Sequence, residues 1–375
     1  MKKQVTALLC LSLLVLPACN AGPEATSSSE PAPTSEAAPQ AMPIEYSDSG
    51  YSEAPVQADA DMYAMDTVMH FRVYGRDKAQ AGKAIEDAFA EIKRLDALMS
   101  TNQKQSELAI LNRTGTTTLS KDNAYLLKRA MEINAQTDGH FNIAVYPLVK
   151  AWGFTTQKYN VPSEETLAEL LPLTEVKDVH FDEKSGKVSL AKKNMGLDFG
   201  GIAKGYASQR LMDIFKEDGI PGGLVTLGGN TQLYRSKPDG SDFAVGVQNP
   251  QDVEDYVGVI RGSDEAIITS GIYQRFFERD GKKYHHIIDP ATGAPADNTL
   301  SSATVICQDG TTADALATAL MIMGRDEAIA FWQKNADRFE MLLIDKDNNV
   351  TITPGLQDRY TPKDRPAPEV IAHGA

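Results

Sequence analysis

The sequence predicts an α+β fold, with mixed and antiparallel sheets packed against helices in one large domain. Three observations carry this. Apolar residues recur at helical spacing in some windows and alternate at strand spacing in others. The two kinds of window follow one another without the regular strand–helix alternation of a doubly wound sheet. From residue 62 to residue 360, glycines and prolines are scattered as punctuation, with no linker and no internal repeat to divide the chain.

Met69 to Tyr74 alternates as a strand, and Lys83 to Met99 places Ile85, Phe89, Ile92, Leu95 and Leu98 on one helical face. Asn123 to Gln136 reads as a second helix stopped near Gly139, and Glu164 to Leu171 as a short third. Val188 to Leu190 and Gly196 to Phe199 are strand-like. Ile202 to Asp218 is helical, with Gly219 placed to end it. Short strands follow at 224–227, 231–234, 243–247 and 256–260. Ala266 to Thr269 then leads into a hairpin, 275–278 and 283–288, turned at Asp280-Gly281. Ala303 to Cys307 precedes a helix that starts near Thr311 or Thr312. A helix at 326–334 and a hairpin, 341–344 and 350–352, close the folded part.

Of 375 residues, 42% are hydrophobic and 23% charged, which is enough to bury a sizeable core and excludes wholesale disorder. The net charge of −14 argues against a nucleic-acid partner, since that needs basic surface to displace phosphate counterions. A small anion held through a divalent cation is compatible with it. The cysteines, Cys10, Cys19 and Cys307, form no CxxC spacing, so thiolate zinc sites and dithiol redox chemistry are excluded.

Met1-Lys2-Lys3 followed by the apolar run Val5 to Leu16 has the form of a signal peptide over residues 1–18. Leu16-Pro17-Ala18-Cys19 is similar to a bacterial lipobox, which makes Cys19 the expected lipidated residue and the bacterial cell envelope the expected location. An ordinary signal peptide with an incidental cysteine is the plainer alternative. Residues 19–61, rich in Ala, Pro, Ser, Glu and Thr, read as a disordered tether, and residues 361–375 as a flexible tail.

Several segments carry chemistry. Asp198-Phe199-Gly200-Gly201-Ile202-Ala203-Lys204 sets an acid, two glycines and a lysine at the start of a helix. That arrangement serves either an anion at the helix N-terminus or a tight turn with a solvated lysine. Asp314 and Thr318, four apart on a helix, can turn two oxygens to one hard cation, although Asp314 can equally be a helix-capping acid. His285 and His286 are adjacent on a strand and so face opposite ways. Only one can reach a given site, as a general base rather than as half of a bis-His metal centre, and a hydrogen-bonded surface pair is the plainer alternative. Gly222 to Asn230 is a strand flanked by turns where something approaches the backbone closely.

In order, these segments resemble the ApbE family of flavin transferases. The matching blocks are Met65-Asp66-Thr67, Met99 to Asn102, Phe141 to Phe154, Asp198 to Tyr206, Leu227-Gly228-Gly229, Thr269-Ser270-Gly271 with His285 to Gly293, and Thr312 to Leu320. The resemblance implies an ApbE-like catalytic domain over residues 62–360. Its implied activity is Mg²⁺-dependent transfer of FMN from FAD, through a phosphoester, to a Thr or Ser of an acceptor flavoprotein, with release of AMP. The implied acceptors are subunits of membrane redox complexes. By position, Asp314, Thr318 and the carbonyl of Gly201 would hold Mg²⁺. Met65, Asn102, His140, Phe141, Asn142, Asp198, Lys204 and Ile288 would line the FAD site, and His286 would be the catalytic base. Asn102 stands where many members carry an aromatic residue, which leaves the pocket more open to water. FAD hydrolysis to FMN and AMP, or flavin binding without turnover, are the two competing expectations.

Overall fold

The computed structural model describes residues 39–373. The chain opens with β1 (Gln40–Ala41), β2 (Glu45–Asp48), β3 (Val56–Ala64) and β4 (Thr67–Gly75), then α1 (Lys78–Met99) and α2 (Glu107–Thr114). It continues through β5 (Thr116–Thr118), α3 (Lys121–Gln136), α4 (Tyr146–Trp152), α5 (Glu164–Leu170), β6 (Val179–Asp182), β7 (Lys187–Leu190) and α6 (Ala203–Glu217). Strands β8 (Gly222–Leu227), β9 (Asn230–Tyr234), β10 (Phe243–Asn249), β11 (Asp252–Gly262) and β12 (Ala266–Gly271) come next. The hairpin β13 (Phe276–Arg279) and β14 (Lys282–His285) leads to β15 (Leu300–Cys307), α7 (Gly310–Met323) and α8 (Arg325–Gln333). Last are β16 (Glu340–Asp345), β17 (Val350–Ile352), β18 (Tyr360–Pro362) and β19 (Glu369–Val370).

Three layers result. The main sheet runs β1-β3-β4-β8-β9-β12-β15-β16-β17-β19, with β2 also on the edge of β3. Its pairings are antiparallel except β17 with β19. One face carries α1, α6 and α7, where Ile85, Ile92, Leu211, Phe215, Leu316 and Leu320 pack on Phe71, Val225, Ile268 and Val305. The other face is covered by the β10-β11-β18 sheet, which buries Phe243, Val245, Val257 and Ile260 against Leu224, Ile267 and Ile306. Alternate residues of one strand thus serve two cores, Ile267 one and Ile268 the other, so a one-residue slip would exchange them. This is the α+β architecture expected.

Helix α1 forms because Ala81, Ile85, Ala88, Ile92 and Leu95 make one apolar stripe and the Asp77 side chain accepts from the Gln80 amide at 2.8 Å. Helix α7 differs: most of its residues are buried, as befits an element between the main sheet and α6. Among the described residues no helix is long and apolar enough to cross a membrane.

Two boundaries are corrected. The tether expected over residues 19–61 is not disordered in its second half, because β1, β2 and most of β3 lie there and pair. The inward positions of β3 before residue 61 are Ala58 and Ala60, too small to register as a hydrophobic run beside Gln57, Asp59 and Asp61. The tail from 361 is not free either: β18 pairs β11, β19 pairs β17, and Ile371 is buried. Residues 1–18 and Cys19 lie outside the described residues. Gly196 to Phe199 is irregular rather than a strand, and α2 and α4 are helices that the sequence reading lacked. Both are short, eight and seven residues, too few turns for periodicity to show.

Candidate active site

Two hairpin tips and two loops build the site. Ala64 pairs with Thr67, leaving Met65 and Asp66 as a two-residue turn with φ of 48° and 60°. Both angles are left-handed, where Asn or Gly is the usual occupant. Two ordinary side chains held there cost of order 1 kcal/mol or more each, a form of strain that clusters at functional positions. The neighbouring tip, Gly228-Gly229 between β8 and β9, lies against it: a Cβ on Gly228 (φ +66°) would sit 2.8 Å from Thr67 Oγ1. What approaches this glycine pair is therefore the protein itself, Thr67 on one side and the Thr269 carbonyl and Gln274 on the other.

The loop into α6 is held by Asp198. Its amide donates to the Ile143 carbonyl at 2.8 Å, and its Oδ1 accepts from the Gly200 amide at 2.7 Å. Burial raises the Asp198 carboxyl above its ordinary pKa, against the pull of that amide and of the Arg275 and Lys204 charges. Lys204 Nζ donates to the Gly200 carbonyl at 3.4 Å. Helix α6 starts without a side-chain cap, and its third amide, Gly205 N–H, donates 2.8 Å to Asp314 Oδ2 on α7.

That bond gives Asp314 a partner at the start of α6. The N-cap of α7 is Asp309, whose carboxylate accepts from the Thr311 amide at 3.0 Å, so Asp314 does not cap its own helix. It is buried at 3% exposure, and among the described residues no cation pairs with it. One turn on, Thr318 Oγ1 lies 3.3 Å from Ser270 Oγ. Gly201 is adjacent, since a Cβ there would stand 3.5 Å from Thr318 Oγ1 and 3.2 Å from the Phe141 ring. Gly201 is thus packed against Thr318 and Phe141, with Asp314 one helical turn before Thr318 on α7. Among the described residues no cluster of three or more His, Cys, Asp or Glu side chains could hold a metal. One carboxylate, one hydroxyl and one carbonyl suit Mg²⁺, which keeps waters in its shell.

His286 follows β14. Its main-chain amide and its ring Nδ1 each donate to the Arg275 carbonyl at 3.1 Å, which leaves Nε2 with the lone pair. Burial, then the Arg275 charge, pushes the His286 pKa down to about 3, so the ring is neutral around pH 7. His285 faces inward instead, with Nε2 2.9 Å from the Ala296 carbonyl and burial lowering its pKa. The opposite facing expected of the pair is present.

Other expected FAD-site residues sit differently. Asn142 has both ends of its amide engaged, Oδ1 accepting from Ala144 N at 2.7 Å and Nδ2 donating to the Thr174 carbonyl at 2.9 Å. His140 is similarly held, Nδ1 at 2.8 Å from the Thr137 carbonyl and Nε2 at 3.4 Å from Glu327. These two shape the segment around Phe141 rather than offer free groups. Ile288 is buried with Leu148, Trp152, Phe154 and Phe277. Asn102 is exposed, its Nδ2 donating to the Thr155 carbonyl at 2.8 Å.

Sequence reasoning missed Arg275, Asp66 and Ser270 as site residues. Enclosure raises the Asp66 carboxyl while Arg275 and Lys204 oppose it, which puts all three groups within electrostatic reach of one another. Asp66 and Ser270 lay inside matched blocks, and their side chains could have been read there. Arg275 carried no signal beyond its place before a hairpin.

The chain is similar to proteins already known. The ApbE family profile, described as "ApbE family", matches residues 65–343. An FAD:protein FMN transferase of Klebsiella pneumoniae is 30% identical over 304 residues, covering 80% of this chain and 93% of its own. One of Treponema pallidum is 32% identical, covering 78% and 86%. The crystal structure of the Thermotoga maritima ApbE protein superposes with a TM-score of 0.74 at 31% identity, over 78% of this chain and 96% of that one. The flavin transferase ApbE from Vibrio cholerae gives 0.71 at 27% identity, over 84% and 100%. With most of the folded part matched in sequence and in architecture, the chain belongs to the ApbE family.

Proposed function

We propose that the protein is an FAD:protein FMN transferase that moves FMN from FAD to a threonine or serine hydroxyl of an acceptor flavoprotein, releasing AMP. The observation that carries this reading is the meeting of Gly201, Asp314 and Thr318 beside a neutral His286 flanked by two cations. A buried carboxylate with one oxygen on a backbone amide and no cationic partner fits a divalent ion, because an unpaired buried charge is otherwise costly. Asp314, Thr318 and the Gly201 carbonyl would hold Mg²⁺. When bound, it would neutralise charge on the pyrophosphate oxygens.

The residues of the chain supply the rest. His286 Nε2 takes the proton of the acceptor hydroxyl, and its Nδ1–H, anchored on the Arg275 carbonyl, fixes the tautomer that can do so. A ring whose pKa is depressed to about 3 is a weak base on its own. Negative phosphates beside it favour the imidazolium, so substrate binding raises its proton affinity, and proton removal accompanies O–P bond formation. Phe141 and Met65 give apolar cover, and Asp198 and Lys204 orient the phosphate-side loop.

The proposed acceptors are subunits of membrane redox complexes, reached by an enzyme lipidated at Cys19 and held in the bacterial cell envelope. Hydrolysis of FAD is a second reading, favoured by the exposed Asn102, which brings an amide rather than a ring to the pocket rim. The test is incubation with FAD, Mg²⁺ and an acceptor flavoprotein subunit with an available threonine. Mass spectrometry of the acceptor and nucleotide analysis of the supernatant follow. FMN on the acceptor with stoichiometric AMP is expected, whereas free FMN alone would establish hydrolysis and unchanged FAD would refute both.

A further inference from the structure

Arg275 lies between β12 and β13, next to His286 through its main chain. Its main-chain carbonyl receives both N–H groups of His286. Its guanidinium makes a single hydrogen bond, from Nη2 to the Phe154 carbonyl at 3.0 Å, and among the described residues it forms no ion pair. Its charge is nonetheless felt by Asp66, Asp198 and His286, the same three groups that feel Lys204. Two cations without carboxylate partners at 4 Å therefore flank one pocket, beside the uncapped start of α6. Asp66 and Asp198 lie within electrostatic reach of both cations without pairing to either, and burial raises both carboxyls, so the guanidinium is left open to an anion; the rigid fork of an arginine matches phosphate oxygens better than a lysine does. The plainer role for Arg275 is to prop the 153–160 segment through Phe154.

We propose that Arg275 is a catalytic residue whose guanidinium binds the pyrophosphate of FAD and stabilises the departing AMP phosphate. This rests on the transfer reading above. In the step it assists, the acceptor oxygen bonds to the FMN phosphorus and the hydroxyl proton goes to His286 Nε2. The bond from that phosphorus to the bridging oxygen breaks, and its electron pair leaves with AMP. Arg275 meets the charge that gathers on that leaving oxygen, as cationic residues do in other phosphoryl transfers.

The test compares FAD with riboflavin, which has the ring but no phosphate. Binding is measured by flavin fluorescence quenching in EDTA without acceptor, so that no turnover intervenes. Arg275→Gln is expected to weaken FAD on the order of 10–100-fold, as for loss of a charge-assisted hydrogen bond, with riboflavin unchanged. Arg275→Lys is expected to fall between Gln and wild type, and it keeps a donor for Phe154 should the Gln protein fold poorly. With Mg²⁺ and acceptor, both variants should lower kcat as well as raise KM. Arg275→Gln should also shift the acid limb of the pH profile upward, because the Arg275 charge helps to lower the His286 pKa, whereas Arg275→Lys, which keeps the charge, should shift it less. Equal weakening of FAD and riboflavin, or of neither, would overturn the proposal. A wild type that binds FAD but transfers nothing would refute flavin transfer instead, and the FAD-to-riboflavin ratio would still decide whether Arg275 holds phosphate.

Discussion

Gly205→Ala sets two physical effects against each other. Inside a helix, alanine is better than glycine by about 1 kcal/mol, so α6 taken alone would be stabilised. The structure opposes this, because the new Cβ would lie 2.2 Å from the Gly310 carbonyl oxygen and 2.5 Å from Asp314 Cβ. That is roughly 1 Å short of ordinary contact, and a main-chain oxygen in a buried helix cannot turn aside as a side chain would. Overpacking of this kind costs about 1–3 kcal/mol. Parting α6 from α7 also breaks the bond from Gly205 N–H to Asp314, which has a charged acceptor and is worth about 1.5–3 kcal/mol. The net expectation is a loss of about 2–4 kcal/mol, or roughly 3–6 °C in Tm for a folded part of this size. Asp314 should move with its helix, so the Tm gain on adding Mg²⁺ should shrink as well. Scanning calorimetry of both proteins, with Mg²⁺ and with EDTA, measures both quantities. A Tm at or above wild type with an undiminished Mg²⁺ shift would show that the helices part without cost, and the close-packing argument would fail.

Asp314→Ala should abolish Mg²⁺-dependent turnover, and Thr318→Ala should weaken it less, since a neutral hydroxyl contributes less to a hard cation; initial rates against Mg²⁺ concentration decide. His286→Ala should bind FAD nearly as wild type while transfer slows roughly 10²–10⁴-fold in single-turnover assays. Its ring signals in NMR should stay constant from pH 8 to pH 5 without FAD, because the folded pKa lies near 3; a transition near 6.5 would refute the burial argument. By the same sign, the unfolded chain takes up a proton below pH 6.5 that the folded ring does not, so this group's share of stability falls as pH drops through that value. Asn102→Tyr should lower the ratio of free FMN to acceptor-bound FMN, since ring stacking adds about 0.5–1.5 kcal/mol of cover. An unchanged ratio in a nucleotide assay would place water access elsewhere.

The layered α+β plan was legible because α1, α3, α6 and the paired strands of the main sheet each carry a clean period. The pairing of Asp314 with Thr318 was legible because they are one helical turn apart. Their partner Gly201 was not derivable that way. It reaches Thr318 through the packing of α6 on α7, and only the resemblance supplied it. Asn142 and His140 were misjudged for a related reason: a polar residue in a matched block looks free until its backbone partners are known. The start of the domain was misplaced because β3 buries alanines, and alanine alone does not distinguish a strand from a tether. Arg275 was invisible because its position is set by a turn, which has no period.

The ends of the main sheet have a practical consequence. Gln40 pairs with Tyr63 and Ala41 with Met62, so β1 lies alongside the end of β3 that leads into the Met65–Asp66 turn. Glu369 and Val370 close the opposite edge on β17. A group attached directly at β1 therefore starts near that turn, whereas one attached at β19 starts nine strand positions away along the sheet path. An affinity handle belongs after residue 373. Immobilising the protein on a bead through its first strand would crowd a bulky acceptor while sparing a small one such as FAD, and the same protein held by its last strand would serve both.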